Sequence, residues 1–132
     1  MPDSFEDEGW VKVGVAGAMI ADYRKDQRAF LEGLATMLQS ALPEDTEIKR
    51  RGLFTKTLAG VSVRLGEHSY AIEDPGKGGL RAERSKIVRG ITLKRDEISV
   101  EECLSELGAA LEEHVAKSGN AREALRTMLG LS

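Results

Sequence analysis

The chain has 132 residues, a formal net charge of −3 and a single cysteine. This length fits one domain that buries a core without a metal or a disulfide. The lone cysteine excludes an internal disulfide and indicates a reducing compartment, so we expect a cytoplasmic protein. The longest apolar run, residues 10–20, has about half the length of a membrane span, which argues against a transmembrane segment.

Charge is segregated along the chain. Residues 44–95 carry 12 Lys and Arg against 7 Asp and Glu, whereas residues 1–43 carry 4 against 7 and residues 96–132 carry 3 against 8. The middle is therefore basic (+5) and lies between acidic ends (−3 and −5). Segregation of this kind marks a candidate binding surface.

The first segment, residues 1–18, is acidic and then apolar. We expect residues 1–9 to form a disordered leader, and their acidity differs from the basic start of a secretory signal. In residues 10–18, three valines alternate as in a strand, while two glycines weaken any regular element. A strand, the beginning of the first helix, and a segment that orders on a partner are the three alternatives.

Residues 19–132 are expected to form a single domain that begins with a helix. Apolar residues recur at three- and four-residue steps over residues 19–42, which predicts an amphipathic helix with one apolar face. Pro43 ends this helix, because the residue before a proline is pushed out of the helical region.

Alternating apolar and polar residues then predict four strands, in residues 47–51, 61–65, 69–73 and 80–95. Gly66 predicts a tight hairpin turn and residues 74–79 a longer one. Ser99 and Glu102 have the spacing of a capping box, so a helix begins there, and a short final helix follows. The order α-β-β-β-β-α-α predicts a two-layer α+β domain, with an antiparallel sheet of about four strands covered on one face by the helices.

Strand parity assigns the side chains of this sheet to two faces. Facing the helices we expect Ile48, Val61, Val63, Leu65, Tyr70, Ile72, Ile87, Ile91 and Leu93. Facing solvent we expect Glu47, Lys49, Arg51, Ser62, Arg64, Ser69, Ala71, Glu73, Lys86, Thr92 and Lys94. Five of the latter are basic and two acidic, which makes this face either an ordinary solvated surface or a docking surface for an anionic partner.

Arg89 does not fit the parity, because it shares the core side with Ile87 and Ile91 and an unpaired buried charge is not tolerated. Either Arg89 and Gly90 form a bulge that resets the parity, or Arg89 reaches a buried carboxylate. The irregular pattern over residues 80–95 favours the bulge.

Familiar site motifs are weak in this chain. Residues 75–79 look like a phosphate loop, but their glycines lead into a strand instead of a helix, so we expect a turn. His68, His114 and Cys103 lack any recognised metal-ligand spacing, and Cys103 lies on an apolar helix stripe that predicts burial. We therefore predict no catalytic residue, no metal ion and no cofactor.

Two functions fit these patterns. The first is a non-enzymatic protein-interaction module (an adaptor, chaperone-like protein or assembly subunit), with a basic sheet face that meets an acidic partner or the acidic helices of a second copy. The second is a nucleic-acid-binding protein whose sheet contacts phosphates, although an aromatic stacking platform is missing from that face. The candidate partner-binding residues are Lys49, Arg51, Arg64, Lys86, Arg89 and Lys94, together with Trp10 in the apolar run.

Overall fold

The computed structural model describes residues 4–54, 56–116 and 119–130, and the side chains among residues 14–116 and 122–130 of these stretches. The elements are α1 (Ser4–Lys25), α2 (Gln27–Ala41), β1 (Thr46–Arg51), β2 (Thr57–Leu65), β3 (His68–Glu73), β4 (Arg81–Val88), β5 (Ile91–Ile98), α3 (Val100–Val115) and α4 (Gly119–Met128). The predicted α+β architecture is confirmed, with five strands in place of about four.

The helix expected over residues 19–42 is interrupted at Asp26. The carboxylate of Asp26 accepts a hydrogen bond from the backbone N–H of Ala29 at 3.1 Å, so Asp26 caps α2 and ends the continuity with α1. On the other side, α1 extends back to Ser4. The segment expected to be a disordered leader is therefore helical from residue 4, and the run 10–18 is helix and not strand.

Packing against α3 explains why α1 forms despite its glycines. Val15 and Met19 are 9% and 0% exposed, and Gly108 of α3 lies directly against Ala16 of α1. Helical stability in proteins comes mainly from such tertiary contacts, which outweigh the modest propensity cost of a glycine.

The five strands form one antiparallel meander in the order β1-β2-β3-β4-β5, with β1 and β5 at its edges. Gly66 has a φ of 67° and makes the two-residue turn between β2 and β3, as predicted. Residues 74–79 are also a turn, in which Asp74 Oδ1 accepts a hydrogen bond from the N–H of Gly76 at 2.9 Å.

Arg89 and Gly90 form a hairpin turn, so the single strand expected over residues 80–95 is two strands. Both residues have positive φ (53° and 80°), as a type I′ turn requires. The bulge expected at Arg89 is wrong, and so is the alternative of a buried carboxylate partner, because Arg89 is exposed. The register irregularity of this strand pair lies between Lys86 and Ile87 instead.

The core lies between one face of the sheet and the helices. α2 and α3 pack directly on the strands, while α1 and α4 pack mainly on α3 and α2 respectively. The most deeply buried side chains, each at most 2% exposed, include Leu31, Leu34, Leu38, Val63, Ile72, Cys103, Leu104, Leu107 and Leu111. Cys103 is thus buried, as its place on the apolar stripe predicts. Among the described helices, none combines the length and apolar character needed to cross a bilayer.

Candidate functional site

The open face of the sheet, which is the side turned away from the helices, differs from the expected one. Lys49, Arg51 and Arg64 lie on it as predicted. Lys86 and Lys94 do not, because they pair with each other two residues along the strands from the Arg84–Asp96 pair and therefore share the face of Arg84, whose guanidinium contacts α3. The expected outward position of both lysines is therefore wrong, since the register of β4 turns them to the helix side.

Acidic side chains nearly balance the basic ones on this face. By strand pairing it carries the cations Lys49, Arg51, Arg64, Arg81 and Arg95 and the anions Glu47, Glu73, Glu83 and Glu97. Two of the cations are ion-paired, Lys49 with Glu73 at 3.0 Å and Arg81 with Glu97 at 2.7 Å. A shallow depression of about 340 Å³ lies between them over small residues such as Ser62, Ala71 and Ser85. The expected basic sheet face is therefore of mixed charge.

The positive charge of the chain is concentrated on the two outer hairpins instead. The first hairpin (β1 and β2) carries Lys49, Arg50, Arg51 and Lys56 around its loop, and the second hairpin (β4 and β5) carries Lys86, Arg89, Lys94 and Arg95 around its turn. These are eight of the 12 Lys and Arg in residues 44–95. The basic middle of the chain is thus split between the two edges of the sheet.

Two adjacent apolar side chains, which we call the tip, project from the loop of the first hairpin. Leu53 and Phe54 are 90% and 97% exposed, whereas Ile91 and Leu93 of the second hairpin are 63% and 61% exposed. Full burial of a Leu or Phe side chain is worth about 1.5–3 kcal/mol relative to exposure. The tip therefore contains the two most exposed large apolar side chains among the described residues.

The cations around the tip differ in how they are held. Arg51 Nη2 donates a hydrogen bond to the carbonyl of Asp74 at 2.6 Å, which ties the first hairpin to the 74–79 turn. Arg50 and Lys56 are exposed and, within the part of the chain that the structure describes, form no ion pair.

Two adjoining depressions lie along α2, and one of them reaches the residues that flank the tip. One, of about 600 Å³, runs between the first hairpin and α2, with Arg50 and Lys56 on one wall and Glu32 and Thr36 on the other. It shares Glu32 and Thr36 with a second depression of about 460 Å³ between α2 and α4. We call this second depression the α2–α4 groove. Its wall is mostly apolar, and Met37 and Met128 are its two largest apolar lining residues.

A cluster of charged side chains joins α3 to the helix side of the sheet. Arg84 forms an ion pair with Glu106 and lies 3.5 Å from Asp96 and 3.8 Å from Glu102. Tyr70 Oη lies 3.4 Å from Glu106 Oε1, and its pKa is raised by burial and then by the Glu106 charge. This cluster compensates a half-buried arginine and positions α3, so we assign it a structural role.

One clear signal for that cluster is present in the sequence of α3. Glu102 and Glu106 are four residues apart and flank the apolar stripe of α3, which places two carboxylates together at the border of the core. Their partner is Arg84 and not Arg89. The sequence also contains a signal for the tip, because its Leu-Phe pair follows a glycine and lies between three cations on one side and one on the other, in residues 49–56.

The remaining candidate residues are a tryptophan, a histidine and the cysteine. Trp10 belongs to α1, and its side chain lies outside the described residues. His68 stacks on Tyr70 with ring centroids 6.3 Å apart. Burial, and then the Glu106 charge, raise the pKa of Cys103 to about 12, so its thiol stays protonated at neutral pH.

No group of three His, Cys, Asp or Glu side chains among the described residues is arranged to hold a metal ion.

Comparisons of this chain with known proteins identify no relative. No protein-family model matches this chain, and no curated protein or solved structure matches it either.

Proposed function

We propose that this chain is a non-enzymatic protein-interaction module whose contact element is the tip, Leu53 and Phe54, with the cations beside it. The exposure of Phe54 is the observation that carries this proposal, because 97% of a large aromatic side chain faces water at the end of a hairpin. Exposed apolar groups of this size mark interaction sites in soluble proteins.

The chemistry of the tip defines its partner. Aromatic anchors that fill a pocket supply most of the binding energy at protein interfaces, and the tip projects from the surface, so it suits a pocket on the other molecule. Arg50 and Lys56 flank that anchor and have no competing ion pair among the described residues. Acidic groups around the pocket would therefore accelerate encounter and select the orientation.

The alternative function, phosphate contacts by the open face, has weaker support. Glu47, Glu83 and Glu97 lie in one row across that face and would repel the phosphates of a nucleic acid.

A cytoplasmic location is part of the proposal. It is supported by the lone buried cysteine, since a reducing compartment keeps such thiols unpaired.

Affinity enrichment from a lysate of the source cells, followed by quantitative mass spectrometry, tests the proposed contact element. The test variant is Leu53→Ser with Phe54→Ser, and the matched control is Ile91→Ser with Leu93→Ser, which alters a second exposed apolar pair on the other outer hairpin. Thermal unfolding should be nearly unchanged in the test variant, because neither side chain is buried.

We expect the wild type and the control to enrich the same partner, and the tip variant to lose it by about tenfold or more, as for an interface anchor. Equal enrichment by all three proteins would overturn the proposal. Loss by the control alone would assign the interaction to the second hairpin and would also contradict it.

A further inference from the structure

Resting on the role proposed for the tip, we propose that one partner is a second copy of this chain, which receives the tip in its α2–α4 groove. The groove has the size of a site that takes one or two large apolar side chains, about 460 Å³. Met37 and Met128 contribute flexible, polarisable side chains to its wall, and such side chains adapt to an aromatic ring.

The charges of tip and groove are complementary. Glu32 lies at the rim on α2 and Glu123 at the rim on α4, and both are exposed. Arg50 and Lys56 flank the tip and are exposed too. An apolar anchor between two cations thus meets an apolar groove between two carboxylates, which is the arrangement that fixes register in protein interfaces.

The position of the groove allows a closed dimer. Because the two depressions share Glu32 and Thr36, the groove adjoins the depression that is lined by Arg50 and Lys56, the cations that flank the tip in the chain. Two copies that face each other across a two-fold axis can each insert a tip into the other. Such an isologous exchange uses both elements twice and closes the assembly.

Charge reversal provides the test, with molar mass measured by light scattering after size exclusion. One variant combines Arg50→Glu with Lys56→Glu, and the other combines Glu32→Lys with Glu123→Lys. All four side chains are exposed, so circular dichroism and thermal unfolding should match the wild type. In each variant alone, like charges meet at both tip–groove contacts, whereas a mixture restores opposite charges at both.

We expect a wild-type dimer, two monomeric variants and a heterodimer in the equimolar mixture, with dissociation constants raised at least about tenfold for each variant alone. A wild type that remains monomeric up to about 500 µM, far above ordinary dimer affinities, would overturn the inference. Dimers that survive both reversals, or a mixture that stays monomeric, would also overturn it. The proposed function fails separately, when the Leu53→Ser and Phe54→Ser variant still enriches the wild-type partner.

Discussion

Arg89 holds a backbone conformation that its side chain disfavours. Its φ of 53° lies in the left-handed region, which costs most L-residues roughly 1–2 kcal/mol and asparagine less. The Arg89→Asn variant should therefore raise the free energy of unfolding by about 0.5–1 kcal/mol, since Asn-Gly is the preferred pair for this turn. Urea denaturation, with an unchanged m-value, measures the difference.

Gly90→Ala is the matched control for that substitution. Gly90 has a φ of 80°, so a side chain there is strained although the space around it is open. We expect this variant to be less stable by about 1 kcal/mol. An Arg89→Asn variant that is less stable than the wild type would contradict the type I′ turn.

The thiol of Cys103 gives the stability a defined dependence on pH. Its pKa is raised to about 12 in the folded chain, whereas an unfolded thiol titrates near 8.5. Below about pH 8.5 both states keep the proton, and the thiol adds no pH dependence. Above it the unfolded state loses the proton first, so the free energy of unfolding should fall by up to about 1.4 kcal/mol per pH unit.

Urea denaturation between pH 8 and pH 10 measures this effect, with Cys103→Ala as the control. Part of the decline should disappear in the variant, because alanine has no proton to lose. Identical slopes for the two proteins would show that the pKa of the thiol is not raised in the folded chain. Ellman's reagent should correspondingly react with the wild type only after unfolding, since Cys103 is 0% exposed.

At the scale of elements, the crossing of α1 and α3 depends on one glycine. A Cβ at Gly108 would lie 2.9 Å from both Cα and Cβ of Ala16, which forces the two helices apart. Gly108→Ala should therefore lower the free energy of unfolding by about 1–3 kcal/mol, as overpacking does. Chemical denaturation of the purified variant checks this value.

Gly17→Ala on the same helix pair is the control. No atom lies within 4 Å of a Cβ at Gly17, so alanine adds helix propensity without a clash and should stabilise by about 0.5–1 kcal/mol. If both substitutions were stabilising, the close approach of Gly108 to Ala16 would be contradicted.

The elements differ in how far local patterns determine them. The beginning of α3 was predictable because Ser99 and Glu102 have the spacing of a capping box. In the structure Ser99 accepts a hydrogen bond from the N–H of Glu102 at 3.0 Å. The division of β4 from β5 was not, because Arg-Gly lacks the usual Asn-Gly signature of a two-residue turn. A single alternation through that turn predicts Ile87 and Ile91 on the same face. In the structure Ile91 pairs with Val88, the neighbour of Ile87, so the two isoleucines lie on opposite faces.

At the scale of the whole molecule, the charge pattern was predictable and its location was not. The +5 of residues 44–95 is a property of composition, but the strand pairing decides which faces and edges receive it. The exposure of Phe54 was equally unpredictable, because a loop aromatic is buried or exposed according to what folds over it. Both depend on tertiary structure, which local periodicity does not encode.

The mixed charge of the open face has a measurable consequence. We expect short single-stranded DNA and RNA to show no salt-sensitive binding at micromolar protein in about 50 mM salt, because Glu47, Glu83 and Glu97 oppose phosphate contacts. Fluorescence anisotropy checks this expectation. Binding that weakens steeply as salt rises would restore the nucleic-acid alternative.

The most direct test of the central claim is site-specific photo-crosslinking in living cells. A benzophenone amino acid replaces Phe54 at the tip in one protein and Arg95, on the open face of the sheet, in a control protein. We predict a crosslinked protein partner, either a second copy or another acidic protein, from position 54 and none above background from position 95. Crosslinks from position 95 alone would contradict the claim that the tip is the contact element.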